Sequence, residues 1–273
     1  MSIMKIQFFC PYWGSETLDF KTFLDKVRKA GYDGVEMSLP IESESREDIS
    51  GLLQLSGMKF IAQHWETSTA DFGEHKVEFH MRLVNLARAN PLFINTQTGK
   101  DFFSFQQNAG LIEIADKISK TYGVKIIHET HRGKFSFAPH ITFGYLTSFP
   151  GLRLGLDISH WCNVAESWLD DQSEAINMAI SRADHIHARV GFPEGPQIPD
   201  PRAPEWQEAL EKHLKWWKQV IYQRSDEGWS QFSITPEFGP YPYMTILPHS
   251  RLPLANQWEV NVFMMEYLKS KLS

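Results

Sequence analysis

Short apolar runs of strand length alternate with longer amphipathic segments from Lys5 to the C-terminus, and this alternation restricts the chain to folds in which helices cover a parallel sheet. The runs are Lys5 to Phe9, Gly34 to Ser38, Phe60 to His64, Leu92 to Thr96, Lys125 to Glu129, Arg153 to Asp157, His185 to Arg189 and Phe232 to Glu237. Eight such units in series, with none left over, predict one closed α/β barrel of the (β/α)8, or TIM, type. That fold typically needs about 250 residues, and the chain has 273. No linker or charge run divides it, so residues 1–273 read as a single barrel domain. An open doubly wound sheet is the runner-up, but it normally carries a glycine fingerprint after the first strand, where this chain has Pro11-Tyr12-Trp13-Gly14.

The intervening segments carry one buried stripe each: Phe20, Phe23, Leu24 and Val27 in the first, Leu111, Ile114, Ala115 and Ile118 in the fourth, Val260, Phe263, Met264, Tyr267 and Leu268 in the last. These stripes read as barrel packing. Gly31, Gly57 and Gly123 follow helical segments at strand entries, where a left-handed residue ends a helix. The longest irregular segment, Gly191 to Glu205, is Pro-rich and follows the seventh strand, and a loop there is expected to cover a substrate.

Lys plus Arg number 27 against 33 Asp plus Glu, a net charge of −6 that offers no broad positive field for a phosphate backbone, so nucleic acid is not an expected partner. Cys10 and Cys162 form no ligand spacing and read as reduced thiols, as in a cytoplasmic protein. The N-terminus reads as a first strand rather than a secretory signal. No apolar stretch approaches the roughly 20 residues of a membrane span, and no membrane association is expected.

A barrel builds its site at the C-terminal ends of its strands. Those ends carry Glu36, His64, Glu129 with His131, Asp157 with His160, then His185, His187 and Arg189, and finally Glu237. Residues two apart share a strand face, which groups Glu129 with His131 and His185 with His187 and Arg189. Acids crowded into the top of a barrel are costly unless something satisfies them, and a divalent cation held by Glu129, Asp157, His187 and Glu237 does so. Oxygen-rich ligation with one imidazole suits Mn²⁺ first, with Mg²⁺ or Co²⁺ as alternatives and Zn²⁺ less suited. His185, one layer deeper, reads as a core histidine, and Glu36 and His64 as groups that could orient ligands. His75, His80, His140, His213 and His249 lack partner spacing and read as surface or packing residues. Trp13, Trp65 and Trp161 near the rim could stack on a sugar ring or pack loops. Trp206, Trp216 and Trp217 read as exposed aromatic surface, open either to packing or to a homo-oligomer interface.

The ordered strings GVEM, FIAQHWE, IIHETH, GLDISHW, HIHARVG and TPEFG resemble the sugar isomerase/epimerase superfamily with the xylose-isomerase-like barrel, over nearly the whole chain. The resemblance implies the same four metal ligands, Glu129, Asp157, His187 and Glu237. It also implies that His160, in a DxxH pattern after the metal Asp, holds a sugar oxygen, and that Arg189 contacts substrate. With His131, His64 and Glu36 these complete the expected substrate-binding set. Two departures stand out: Arg189 follows His187 at shorter spacing than in the ketose epimerases, and Thr130 to Phe135 carries no second acid after Glu129.

The expected activity is isomerisation or epimerisation of a ketose or modified sugar through an enediolate, with Glu129 and Glu237 taking and returning the proton. Elimination of a β-substituent from a keto-sugar or keto-glycoside is the nearest alternative. A DNA-repair endonuclease with a zinc cluster would need more His ligands than the strand ends supply. A non-catalytic binding barrel would instead pair the acids with Arg132, Arg189 or Arg202. The absence of a Gly-rich phosphate cradle points to an unphosphorylated sugar.

Overall fold

The computed structural model describes residues 4–272. Eight parallel strands, β1 (Lys5–Pro11), β2 (Gly34–Met37), β3 (Lys59–His64), β4 (Ile94–Thr96), β5 (Ile126–Glu129), β6 (Leu154–Leu156), β7 (Ala183–His187) and β8 (Gln231–Thr235), pair in sequence order and close into one barrel. Closure comes from β1 on β8, with Lys5 opposite Gln231. The helices between them are α1 (Phe20–Ala30), α2 (Ser43–Ser56), α3 (Phe72–Arg88), α4 (Phe105–Tyr122), α5 (Pro139–Ser148), α6 (Ser159–Val164), α7 (Ser173–Arg182) and α8 (Gln207–Asp226), with α9 (Gln257–Leu272) at the end. Two helices follow β6, and the six-residue α6 carries no amphipathic repeat by which the sequence could announce it.

Alternation along the strands sorts the side chains. Phe8, Cys10, Val35, Ala62, Ile94, Leu154, Ile186 and Ile234 belong to the shell of apolar contacts between strands and helices. Their neighbours face the barrel axis. Near its base the interior is filled by Phe9, beside which Gly34 leaves room: a Cβ there would come within 2.6 Å of the Phe9 ring and 2.4 Å of the Lys59 carbonyl. Gly155 does the same for Asn95, whose Oδ1 would lie 2.2 Å from an added Cβ.

Several strand bounds differ from those expected. β4 begins at Ile94, β6 is three residues long with a register shift at Leu154/Gly155, β7 starts at Ala183 and ends at His187, and β8 ends at Thr235. Asp157, Arg189 and Glu237 therefore stand just past their strands, where the chain diverges into loops and the continuous ladder gives way to single bonds such as Ala188 N–H to the Thr235 carbonyl at 2.8 Å.

The longest irregular stretch is 236–256, after β8, and not the Pro-rich segment 191–205. The Pro-rich segment is pinned to the barrel: the Ile198 N–H donates to the Val190 carbonyl at 2.9 Å, and the Gln197 carboxamide accepts from the Gly239 N–H at 2.7 Å. Trp216 and Trp217 are buried rather than exposed, because they lie on the inner face of α8, and they lend nothing to an oligomer interface. Cys10 and Cys162 are buried and unpaired. No helix among the described residues is long and apolar enough to cross a membrane.

His213 on α8 is buried beside both tryptophans. Its Nδ1–H donates to the Ala209 carbonyl at 2.9 Å, and its Nε2 accepts from the Gly191 N–H at 3.2 Å, so the neutral ring anchors the start of the Pro-rich segment. Burial pushes its pKa down from 6.5 to about 4. Between those values the unfolded chain binds the proton more readily, so this stability is complete above pH 6.5 and is lost as pH falls. Urea denaturation between pH 7 and pH 4.5 is expected to show about 2–3 kcal/mol more acid loss in the unaltered chain than in His213→Gln. Equal pH slopes would contradict this role.

Candidate functional site

Glu129 closes β5, Asp157 follows β6, His187 closes β7, and Glu237 lies two residues past β8. The strand ends bring them together: one donor atom from each lies within 4.8 Å of all the others, and all four residues are buried. Each is held by a neighbour. Gln97 donates to both oxygens of Glu129, at 3.2 and 3.3 Å, and Gln63 donates to Glu237 Oε1 at 2.8 Å. Asp157 Oδ1 accepts from the Ser159 N–H at 2.9 Å. Arg189 bridges two of the acids, from Nε to Asp157 Oδ2 at 3.2 Å and from Nη2 to Glu237 Oε2 at 2.5 Å.

Below this layer Glu36 accepts from His187 Nε2 at 2.9 Å and His185 Nε2 at 3.1 Å, and from the Thr235 hydroxyl. A carboxylate can only accept, so Nε2 of His187 carries a proton and Nδ1 faces the acids. That Nδ1 lies 2.9 Å from Glu237 Oε2 and 3.6 Å from Glu129 Oε1, yet no contact has hydrogen-bond geometry, and it is a buried nitrogen without a partner.

Burial opposes every charge here, and the outcome differs by neighbour. Burial pushes Asp157 up to about 6, although Arg189 pulls the other way. For Glu237 burial is outweighed by His187 and Arg189, which hold it down at about 2. His187 sits well above the ordinary histidine value because Glu237, Glu36 and Glu129 outweigh its burial. Four buried carboxylates face one guanidinium, and even a protonated His187 leaves the balance negative. The partnerless Nδ1 among three carboxylates, together with that excess charge, is a donor set a divalent cation fits.

A cavity of about 360 Å³ opens above these groups, with Gln63, Gln97, His131, Arg189 and Glu237 in its floor and Trp13, Trp65 and Tyr243 in its walls. No residue of the Pro-rich segment lines it; Tyr243, from the stretch after β8, takes that place.

The remaining expected residues divide. His131, Arg189, Trp13 and Trp65 line the cavity, and His160 lies beside it, with its ring centroid 3.9 Å from that of His131. His64 does not reach the cavity: it is adjacent in sequence to the inward Gln63, so alternation turns it outward, between Thr96 and Thr67 and against Phe79. Glu36 is covered by the His187 and His185 rings and touches no cavity surface. His185, between Glu36 and Ser233, has the core position expected of it. Trp161 is buried and donates from Nε1 to the Ser136 carbonyl at 2.8 Å, so it packs a loop. Gln63, Gln97 and Tyr243 went unanticipated. The amides sit at strand ends 3 and 4 and carry no charge to mark them, and Tyr243 lies in FGPYPY, an aromatic and Pro-rich stretch on the same rim.

No family model matches the sequence, and no curated protein matches it. Among solved structures, a 3-keto-D-glucoside 4-epimerase from E. coli superposes with TM-score 0.64 at 10% identity, covering 97% of this chain and 100% of that one. A xylose isomerase-like TIM barrel protein from Mycobacterium smegmatis, in complex with magnesium, superposes with TM-score 0.61 at 13% identity over 100% of both chains. The fold is that of the xylose-isomerase-like TIM barrels. Endonuclease IV from Thermus thermophilus shares it too, with TM-score 0.58 at 12% identity over 98% of each chain. A xylose-isomerase-like barrel thus hosts chemistry on both sugars and nucleic acid, and the reaction has to be argued from the site.

Proposed function

We infer that this chain is a divalent-metal-dependent isomerase or epimerase acting on a ketose or modified sugar. The observation that carries the reading is the convergence of Glu129 and Glu237, from separate strands, with Asp157 and His187, at a point where Glu237 also lines an aromatic-walled cavity. Mn²⁺ suits three carboxylates and one imidazole, with Mg²⁺ or Co²⁺ as alternatives. When bound, such an ion supplies Lewis-acid stabilisation for negative charge building on substrate oxygens as a proton leaves the neighbouring carbon.

The protein's own groups do the rest. Gln97 and Gln63 orient the two glutamates, and a carboxamide neither gives nor takes a proton, so the proton inventory stays with the carboxylates. One glutamate takes the proton and the other returns it: return to the opposite face of the same carbon gives an epimer, and return to the adjacent carbon gives an isomer. Trp13 and Tyr243, perpendicular at 5.1 Å, with Trp65, offer apolar faces to a sugar ring. Arg189 keeps Nη1 without a protein partner, as a donor for a substrate oxygen. Among the described residues lining the cavity Arg189 is the one guanidinium or ammonium, and two carboxylates already engage it, which favours an unphosphorylated substrate.

A second reading, elimination of a β-substituent from a keto-sugar or keto-glycoside, is favoured by Tyr243. Burial raises the phenol above its ordinary value, so it stays protonated in the cavity wall and can protonate a leaving group.

Incubation with free ketoses and keto-glycosides in D2O with Mn²⁺ tests both. Deuterium is expected to enter the carbon beside the carbonyl with the unaltered chain and not with Glu129→Gln, and a released aglycone would identify elimination. No exchange in any substrate, with the cation demonstrably bound, would overturn both readings.

A further inference from the structure

Because β8 ends at Thr235, Phe238 and Gly239 have no strand partner, yet the N–H and C=O of each are bonded by side-chain amides. Asn261 accepts from the Phe238 N–H at 2.8 Å and donates to the Phe238 carbonyl at 3.0 Å. Gln197, from the Pro-rich segment, accepts from the Gly239 N–H at 2.7 Å and donates to the Gly239 carbonyl at 3.2 Å. Gln257 donates to the Phe238 carbonyl at 2.9 Å and to the Trp13 carbonyl at 2.8 Å, which ties the loop after β1 to the segment after β8. Asn261 and Gln197 are buried, so losing either would leave backbone groups unpaired away from water.

Trp13 rests on this clamped segment. A Cβ on Gly239 would lie 2.1 Å from Cη2 of the indole and 2.3 Å from its Cζ3, so the ring lies where a side chain at 239 would stand. The same ring meets Tyr243 edge-on at 5.1 Å, and the Arg189 guanidinium stands 5.7 Å from it. Among the described residues Trp13 is the one common to the linings of two cavities, that of about 360 Å³ above the acids and a neighbour of about 460 Å³. The neighbour is walled by Leu18, Met244, Ile246 and Trp258 and has no carboxylate in its lining, so it takes apolar groups and no part in the proton chemistry.

We propose that Trp13 is a fixed partition between the two cavities and Gly239 its seat, so that these two positions determine how large an apolar substituent the substrate can carry. With the indole in place, a bulky group on the sugar meets the ring; without it, the two volumes join and the space more than doubles. The Pro-rich segment acts through Gln197 as a buttress of the cavity wall and not as its cover. The proposal rests on the sugar reading only for the chemistry of the glucoside probes that test it.

Calorimetric titration of the full-length chain, with Mn²⁺ present, against methyl β-D-glucoside, 2-naphthyl β-D-glucoside and 2-naphthol is the test. Trp13→Ala is expected to bind the naphthyl glucoside roughly tenfold or more tighter than the unaltered chain, because the naphthalene then reaches apolar lining that the indole shuts off. It should bind the methyl glucoside more weakly, having lost an aromatic face. Gly239→Ala is expected to weaken methyl glucoside binding by roughly tenfold when the indole is present and not at all in the Trp13→Ala background, where the added methyl meets no ring. Trp13→Val repeats the comparison should Trp13→Ala fail to fold. Equal naphthyl glucoside affinity with and without the indole, or a Gly239→Ala effect that persists in its absence, would overturn the partition. If the sugar reading alone is wrong, neither glucoside binds, yet 2-naphthol still gains affinity in Trp13→Ala; unchanged naphthol affinity would overturn the partition itself.

Discussion

Replacing Glu237 by glutamine is expected to abolish cation binding at the centre formed with Glu129, Asp157 and His187. Solvent exchange of the substrate proton should fall by roughly 10²–10⁴-fold, the range for a positioned acid–base group. The variant loses one of three anionic ligands, and its carboxamide cannot be oriented well. If its oxygen accepts from Gln63, its NH2 group points at Arg189 Nη2, which donates to the native Oε2 at 2.5 Å; turned over, the NH2 group meets the Gln63 donor instead. Either orientation opposes one buried donor, at about 1–3 kcal/mol. The unaltered chain should gain about 4 kcal/mol of stability at a Mn²⁺ concentration 1,000 times its Kd, and the variant none. Elemental analysis and thermal denaturation with and without Mn²⁺ read both effects. A variant with unchanged Mn²⁺ content and an unchanged thermal shift would remove Glu237 from the ligand set.

The barrel was legible because its determinants are local and repeated. Val35, Ala62, Ile94, Leu154 and Ile186 must each meet a helix, so every strand shows as an apolar run before a rim residue. The cluster of acids was legible for the complementary reason: Asp157 and Glu237 end apolar runs where a charge has no local partner. What alternation alone could not decide was phase. Gln63 and His64 are neighbours on opposite faces of β3, and the imidazole, chemically the more conspicuous, is the one turned away from the site. Tyr243 was hidden for another reason. It lies in a stretch without periodicity, and only the closure of β8 against β1 brings that stretch over the cavity beside Trp13. A non-catalytic binding barrel would pair the acids with Arg132, Arg189 or Arg202, and Arg189 does pair with Asp157 and Glu237. Alongside four carboxylates and a partnerless His187 Nδ1, one guanidinium does not balance the site.

Glu36→Gln should be the most destabilising single change at the site, although Glu36 touches no cavity surface. Its carboxylate accepts from His187, His185, Asn95 and Thr235, with no access for water. His187 and His185 outweigh burial and hold its pKa well below the ordinary glutamate range, so the group is ionised throughout the neutral range. A glutamine would place an NH2 group among those donors and remove the charge opposite His187. Breaking a buried ionic contact in this way costs roughly 3–5 kcal/mol, which for a chain of this size lowers Tm by roughly 10 °C. Freed of its acceptor, the His187 ring also loses the bond that fixes Nδ1 toward Glu129 and Glu237, and cation affinity should fall by about 10–100-fold. Chemical denaturation gives the first quantity and cation titration the second. A Glu36→Gln chain with native stability but weakened cation binding would mean that the layer beneath the site serves orientation alone. Native values of both would mean that His187 is held by something other than Glu36.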